Sequence, residues 1–468
     1  MSKKIFSVLS IMLLVAVVLG ACQPTEVIKT VEVLKEVVKT QVVTQVVEGK
    51  PVEKVITATA MPTKDTSKDA VNLRFTVWTA NETQLKLLSD IAAEYKAKNP
   101  NVTIKFDSIA GDEYIQKVSV QLAGGDPPDA GWMFETAAAN WIKAGALSDL
   151  GPKLKSFPNY DFADFSPKAL AFWVRGDAVY GVPFSTSPNF VMYNVDLFKA
   201  AGIDTPDVMI KNNQWTFENF RKAAKAIQDK APKGTYGFST PDGGNMYIGT
   251  NPFYTLTPII RSYGGEFWSD DFTTCMMNKP EAVQAIQLFQ EMLLVDKSVA
   301  PPGESVAFTS GNAGMAFGQI SRVGPLKDAK FKWGIAPMPS GPAGFKPTIG
   351  QAAVVAFKAS KNIAWAQDFV AFLTTKENVT RLAAFWPPAR VSVLNSDAIA
   401  KNNPTIDPAQ IKAAITDSII NGKVVSSHPD FAKVELAAHP FLDKLWMPGA
   451  KVQELMDQSC KALAPYFK

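Results

Sequence analysis

The 468 residues hold only two histidines, His428 and His439, and both come late in the chain. A Ser-His-Asp machine or an imidazole-rich zinc centre is therefore poorly supported. The three cysteines, Cys22, Cys275 and Cys460, are too far apart for a metal knuckle. Net charge is only +4, and no run interleaves aromatics with dense basic residues, which sets nucleic-acid binding aside. The apolar run at residues 5–19 falls short of the roughly 20 residues a membrane span wants. The glycine-rich GGDPPD at residues 124–129 lacks the Lys and Ser/Thr of a phosphate loop, and its two aspartates would repel phosphate. It reads as a turn, with Asp126 and Asp129 as caps or turn formers. Aromatics are missing from residues 23–69, so that stretch has nothing with which to build a core.

What is present begins with Lys3 and Lys4, the apolar run, and Leu19-Gly20-Ala21-Cys22, the pattern of an export signal. A small-residue pair followed at once by Cys resembles the lipobox of bacterial lipoproteins, in which that Cys receives the lipid and becomes the first mature residue. Residues 1–21 are then a signal peptide, and 22–69 a Val/Thr/Lys/Glu-rich tether holding the rest away from the outer face of the cytoplasmic membrane. Apolar Val27, Val31, Leu34 and Val38 fit a helical spacing, whereas the Val and Thr excess favours an extended spacer. In an exported protein Cys275 and Cys460 stand in an oxidising compartment; the residues leave open a disulfide or two buried thiols.

From residue 70 the pattern alternates. NLRFTVW has strand periodicity, residues 84–98 show one apolar helical face, residues 102–106 alternate again, and a helix follows at 113–122. Strand-helix repetition of this kind predicts a mostly parallel sheet covered on both faces. Helices are predicted over 215–228, 280–294 and 363–373, and strands over 130–134, 314–320 and 333–337. The stretch VYGVPFSTSPNFVMYNVDLFKAAG at 179–202 opens with the breakers Gly181 and Pro183 and reads as a linker feeding a strand and then a helix. With residues 347–351 and 386–390 it gives three crossings between two lobes: 70–182 with 350–387, and 183–349 with 388–468. A cleft between lobes is where a ligand would sit.

The order VWTANE, a helix ending KNP, GGDPPDAGW, WIKAGAL, YGVPFSTSPNFVMYNVDLFKAAGI with QWTFENF, NAGMAFG, KWGIAPMPSGPAG, GQAAVVAFKASKN with AWAQDFVAFLT, and PPARVSV resembles family 1 extracellular solute-binding proteins. These are the substrate receptors of ABC importers, with the maltose-binding protein as their best-known relative. The resemblance covers nearly the whole mature chain. It implies an α/β, two-lobed, type II periplasmic-binding-protein-like fold with three hinge crossings, no cofactor or metal, and two partners: a small-molecule ligand and the membrane subunits of a transporter. It places the ligand site at Asn81 and Glu82 after the first strand, Met133 and Glu135, the hinge serines Ser185 and Ser187, and Asn251, Phe253 and Tyr254 in the second lobe. Where the family keeps an aromatic platform, this chain has Gln319 and Arg322 and no Trp, so a maltodextrin site is not preserved. Gln351 and Trp386, beside the later crossings, are the replacements, and Trp78 is a further aromatic candidate.

Each candidate has a plain structural alternative. Trp78, Phe253 and Trp386 serve equally as core aromatics, Glu82 and Glu135 as solvated acids, and Arg390 better as a hinge ion-pair partner than as a ligand contact. Acids and amides interleaved with aromatics suit a neutral carbohydrate. The alternatives are a polyamine or phosphorylated polyol receptor, or, with no hydrolase-like motif to support it, a glycan-degrading surface enzyme.

Replacing Cys22 by Ser is expected to abolish lipid attachment. Fatty-acid labelling of the Cys22→Ser protein checks this, and a labelled variant would remove the lipobox reading.

Overall fold

Valine and threonine favour extended backbone because branching at Cβ suits the pleat, and two pieces of the expected tether pair accordingly. Strands β1 (Thr40–Val47) and β2 (Lys50–Thr57) form an antiparallel hairpin in which Thr40 faces Thr57 and Val47 faces Lys50. This computed structural model describes residues 40–47, 50–57, 69–111, 113–239, 252–301, 304, 306–425 and 427–467. The expected signal peptide, Cys22 and Asn251 lie outside them, as does the side chain of Tyr254.

In the unit that contains the rest of the described chain, β3 (Val71–Val77), β4 (Val102–Ser108) and β5 (Ala130–Phe134) run parallel. Between β3 and β4 lies the helix Glu82–Lys98, capped by Asn81, with Leu88, Ile91 and Tyr95 buried on one face. Asp129 fixes the turn into β5 by accepting from the Arg74 backbone N–H at 2.8 Å. After the short hairpin β6 (Val174–Arg175) and β7 (Ala178–Val179), the chain enters β8 (Val182–Pro188) and then β9 (Phe190–Asn194). β10 (Tyr236–Ser239), β11 (Ala313–Gly318) and β12 (Trp333–Pro337) complete a second sheet in the order β10-β11-β9-β12. β13 (Thr348–Ala356) returns to the first sheet, and β14 (Lys423–Val424) joins it from the tail, giving six strands.

Alternation sorts the cores. In β9, Val191 and Tyr193 enter a cluster with Phe220, Phe238 and Phe289, while Phe190 and Met192 enter another with Ile335, Ile411 and Ile415. In the first sheet, Phe75, Trp132 and Val354 face one core, and Met133, Ala353 and Val355 the other. The two-lobed α/β architecture therefore stands as the sequence predicted.

One boundary moves. Residues 181–187, expected as a linker, are mostly strand: β8 pairs antiparallel with β13 from Ile349↔Pro188 to Val354↔Val182, with an irregularity at Ala352/Ala353 that leaves Phe184 as the extra residue. The crossing into the second sheet is the single residue Asn189 between β8 and β9. Proline and the Ser-Thr-Ser run disguise the strand, because a β-bulge breaks the alternation by which a strand is recognised. Helix bounds were more legible: Thr216 caps Phe217–Lys230, and Pro280–Leu294 and Ile363–Leu373 match expectation.

The third crossing is anchored by Arg390, whose side chain is 0 % exposed. Its guanidinium donates to the carbonyls of Tyr160 at 2.7 Å, Asp161 at 2.9 Å and Thr374 at 3.1 Å, pairs with Asp164 at 3.3 Å, and lies over the rings of Phe165 and Tyr160. In the second lobe Cys275 and Cys460 are joined as a disulfide, tying the segment after Trp268 to the terminal helix Val452–Leu463.

Removing Arg390 takes the counter-charge from the Asp164 carboxylate, which keeps its bonds from Ser392, and removes a donor from three carbonyls. Arg390→Met is expected to cost about 3–5 kcal/mol of unfolding free energy, read from urea denaturation. A loss below about 1 kcal/mol would show that the buried guanidinium does not anchor the crossing.

Candidate functional site

The parallel strands β3, β5 and β8 all end at one edge of the first sheet, and β13 starts there. At this edge three polar side chains stand in a row across neighbouring strands. Thr186 of β8 lies opposite Gln351 of β13, so both project from the same face. Glu135 sits one position beyond the Ala352↔Phe134 pair and receives the backbone N–H of Gln351. All three are buried, with exposures of 4 % for Glu135, 2 % for Gln351 and 1 % for Thr186.

Their hydrogen-bonding capacity is largely unused. The Gln351 Oε1 accepts from Trp173 Nε1 at 2.7 Å, but Gln351 Nε2 and Thr186 Oγ1 have no partner among the described residues. Trp173 reaches that position because Gly181 carries no Cβ, which would stand 2.6 Å from the Trp173 ring. Burial pushes the Glu135 carboxyl up to about 8, against the pull of its own backbone N–H and that of Gln351. With no cation among the causes acting on it, burial therefore favours the uncharged form of the acid. Buried groups of this kind normally have partners.

Aromatic rings flank it. Trp78, just past β3, stacks on Phe134 with centroids 3.8 Å apart and meets Tyr114 and Trp132 edge-on; Trp78 and Phe134 are only half-buried. On the other face Trp132 stacks on Phe184 at 4.9 Å and meets Trp386 edge-on at 5.2 Å, while its Nε1 also lacks a partner among the described residues. The Pro387 carbonyl accepts from the Thr186 N–H at 2.8 Å, bringing the third crossing against the first.

Of the predicted residues, the structure gathers Trp78, Glu135, Ser185, Ser187, Gln319, Gln351 and Trp386 around this edge. Ser185 and Ser187 hydrogen-bond each other at 3.0 Å on the face opposite Thr186, and Gln319 of the second lobe donates to the Ser187 carbonyl at 3.2 Å. Asn81 uses its side-chain oxygen to cap a helix, and Glu82 is exposed in the first turn of that helix. Arg322 is exposed in a short turn. Two expectations are corrected. Met133 points into the core that holds Trp173 and Ala353, and Phe253 packs among Phe267, Trp268 and Phe431, because strand and helix periodicity turns both inward.

Sequence reasoning missed Thr186, Trp173, Phe134 and Arg261. Thr186 was overlooked because a bulge decides which face it takes. Buried Arg261 donates to the Lys423 and Val424 carbonyls at 2.8 and 3.1 Å and pairs with Glu266, so the second lobe holds the β14 end of the first sheet. Nothing in its local pattern signals that role.

The family model described as bacterial extracellular solute-binding protein matches residues 79–380. A binding protein of Brucella abortus is 27 % identical over 324 residues, covering 66 % of this chain and 74 % of the relative. The arabinooligosaccharide-binding protein of Bacillus subtilis is 24 % identical over 388 residues, covering 76 % and 84 %. Among solved structures, an ABC substrate-binding protein from Listeria monocytogenes in complex with cycloalternan superposes with a TM-score of 0.73 at 21 % identity, over 85 % of this chain and 99 % of that one.

Glu135 makes stability depend on pH with a definite sign. Its folded pKa of about 8 lies above the ordinary carboxyl value, so its contribution is fully present below about pH 4.5 and is lost as pH rises through about 8. His428, held low by burial, acts oppositely, weakening the fold as pH falls below about 6.5. In the absence of added solute, Glu135→Gln is expected to gain stability over wild type, by on the order of a few kcal/mol between pH 5 and 8. Parallel melting curves of the two proteins across that range check it; a constant difference would show that Glu135 is ionised in the fold.

Proposed function

Since the chain belongs to the bacterial extracellular solute-binding proteins, we propose that the solute it captures between its lobes is a carbohydrate, delivered to the membrane subunits of an ABC transporter. The observation that carries this reading is the buried row Glu135, Gln351 and Thr186 beside the half-buried Trp78–Phe134 stack. Sugar hydroxyls both donate and accept, and C–H faces of the ring lie on aromatic surfaces. A polyamine would want ionised carboxylates, and here burial disfavours the ionised form of Glu135 while Glu82 stands exposed at a helix start. A phosphorylated ligand would want clustered cations, yet Arg390 and Arg261 are committed to carbonyls and acids of the frame.

Anchoring belongs to the same proposal. Cys22 carries the lipid, and residues 22–69, including the β1–β2 hairpin, hold the binding unit off the membrane. Among the described residues no helix is long and apolar enough to cross a membrane.

Calorimetric titration against a panel of neutral oligosaccharides tests the carbohydrate reading. At least one saccharide is expected to bind, with Gln351→Ala and Trp78→Ala each weakening it by roughly 1–3 kcal/mol, or about tenfold or more. Binding confined to polyamines or phosphates, or unchanged affinity in both variants, would sink it.

A further inference from the structure

We infer that the row Glu135–Gln351–Thr186 sorts ligands by charge, accepting an uncharged hydroxyl-bearing group and refusing an ammonium, carboxylate or phosphate at that position. This rests on the carbohydrate reading of the same site and says which part of the site enforces it.

The inventory of the row is balanced. Gln351 Nε2 offers two N–H donors, Thr186 one hydroxyl that donates and accepts, and neutral Glu135 one O–H donor and a carbonyl acceptor. Paired hydroxyls on a ligand can satisfy donors and acceptors together without bringing in charge. An ammonium would meet two N–H donors and no anion unless Glu135 released its proton. A carboxylate or phosphate would find donors but no cation, and burying a charge without a counter-charge is costly.

The cations on the elements packed against β13 are already paired: Arg261, which reaches Thr348 Oγ1 at 3.4 Å, bonds Glu266, and Lys423 bonds Glu266 and Asp270. β13 over Thr348–Ala356 and β8 over Val182–Pro188 carry no ionisable side chain. In the helix that Glu135 begins, Lys143 lies at the opposite end. Tyr114 donates to the Trp132 carbonyl and bonds Thr76. Ser427 bonds the Thr136 carbonyl and brings His428 nearby, but that ring packs against Trp268, Phe272 and Phe467 and burial keeps it neutral.

Two measurements test the inference. Infrared difference spectra of ligand-free wild type against Glu135→Gln should show a protonated-carboxyl band at pH 7 that converts to carboxylate above about pH 8; a carboxylate signal at pH 7 overturns the inference whether or not a ligand is known. Calorimetry in two buffers of unequal ionisation heat then uses maltotriose, arabinotriose, chitobiose, spermidine and glycerol 3-phosphate. A saccharide should bind at pH 7 without proton exchange, with affinity falling about tenfold per pH unit above pH 8 in wild type and staying level in Glu135→Gln. At pH 7 Glu135→Ala and Thr186→Val should each lose about tenfold, and Glu135→Gln should lose less than Glu135→Ala. Saccharide binding with proton release, or a Gln variant as weak as the Ala variant, overturns charge sorting and leaves the carbohydrate reading standing. Spermidine binding with release of one proton, and no saccharide binding, overturns both.

Discussion

The fold depends on one strand that has no free edge and no exposed residue. β13 is bonded along one side to β8 and along the other to β5 and then β14, and all nine of its residues are buried. Every backbone group of such a strand needs its partner, since an unpaired buried N–H or carbonyl costs as much as a lost hydrogen bond. Its neighbours are drawn from three distant parts of the sequence, so β13 fixes where the crossings lie. Only its side chains are left to vary. Eight of them are apolar, Gly or Thr, and the remaining one is Gln351.

That arrangement explains why the site is polar where the core is not. The edge at which β3, β5 and β8 end is the place where backbone pairing stops and side chains inherit the bonding. Gln351 is held by Trp173, which the missing Cβ of Gly181 admits, and its backbone N–H is given to Glu135. The acid is thus fixed by main chain rather than by a cation, which leaves burial free to raise its pKa. An Arg or Lys in the same place would have favoured an ionised carboxylate.

Much of the frame was legible in the sequence. Periodicity located the long helices and most strands, and the ordered motifs pointed to the family and to its two lobes. Arg390 was read as a hinge ion-pair partner, which its contacts with Asp164 and three carbonyls bear out. The failures have three causes. Thr186 and Phe184 take their faces from an irregularity that exists only when β8 pairs with β13, and Met133 and Phe253 were carried over by alignment to a relative although their own periodicity turns them inward. Trp173 and Arg261 act across long sequence separations, 178 residues in the case of Trp173 and Gln351, and such contacts leave no trace in a local pattern.

The same geometry limits how the lobes can move. Between the two sheets the chain passes at Asn189, along residues 338–347, and along residues 386–390, and the second and third of these are irregular segments that can absorb backbone rotation. The second lobe also grips the first through side chains on carbonyls: Gln319 on Ser187, and Arg261 on Lys423 and Val424. A carbonyl accepts over a broad range of directions, so these contacts tolerate a change of angle better than a bidentate ion pair would. The row at β13 belongs wholly to the first lobe and keeps its spacing through such a rotation, whereas Gln319 approaches from the other side. A hydroxyl held by Glu135, Gln351 and Thr186 would therefore be fixed before the second lobe arrives, and closure would add contacts to an already oriented ligand.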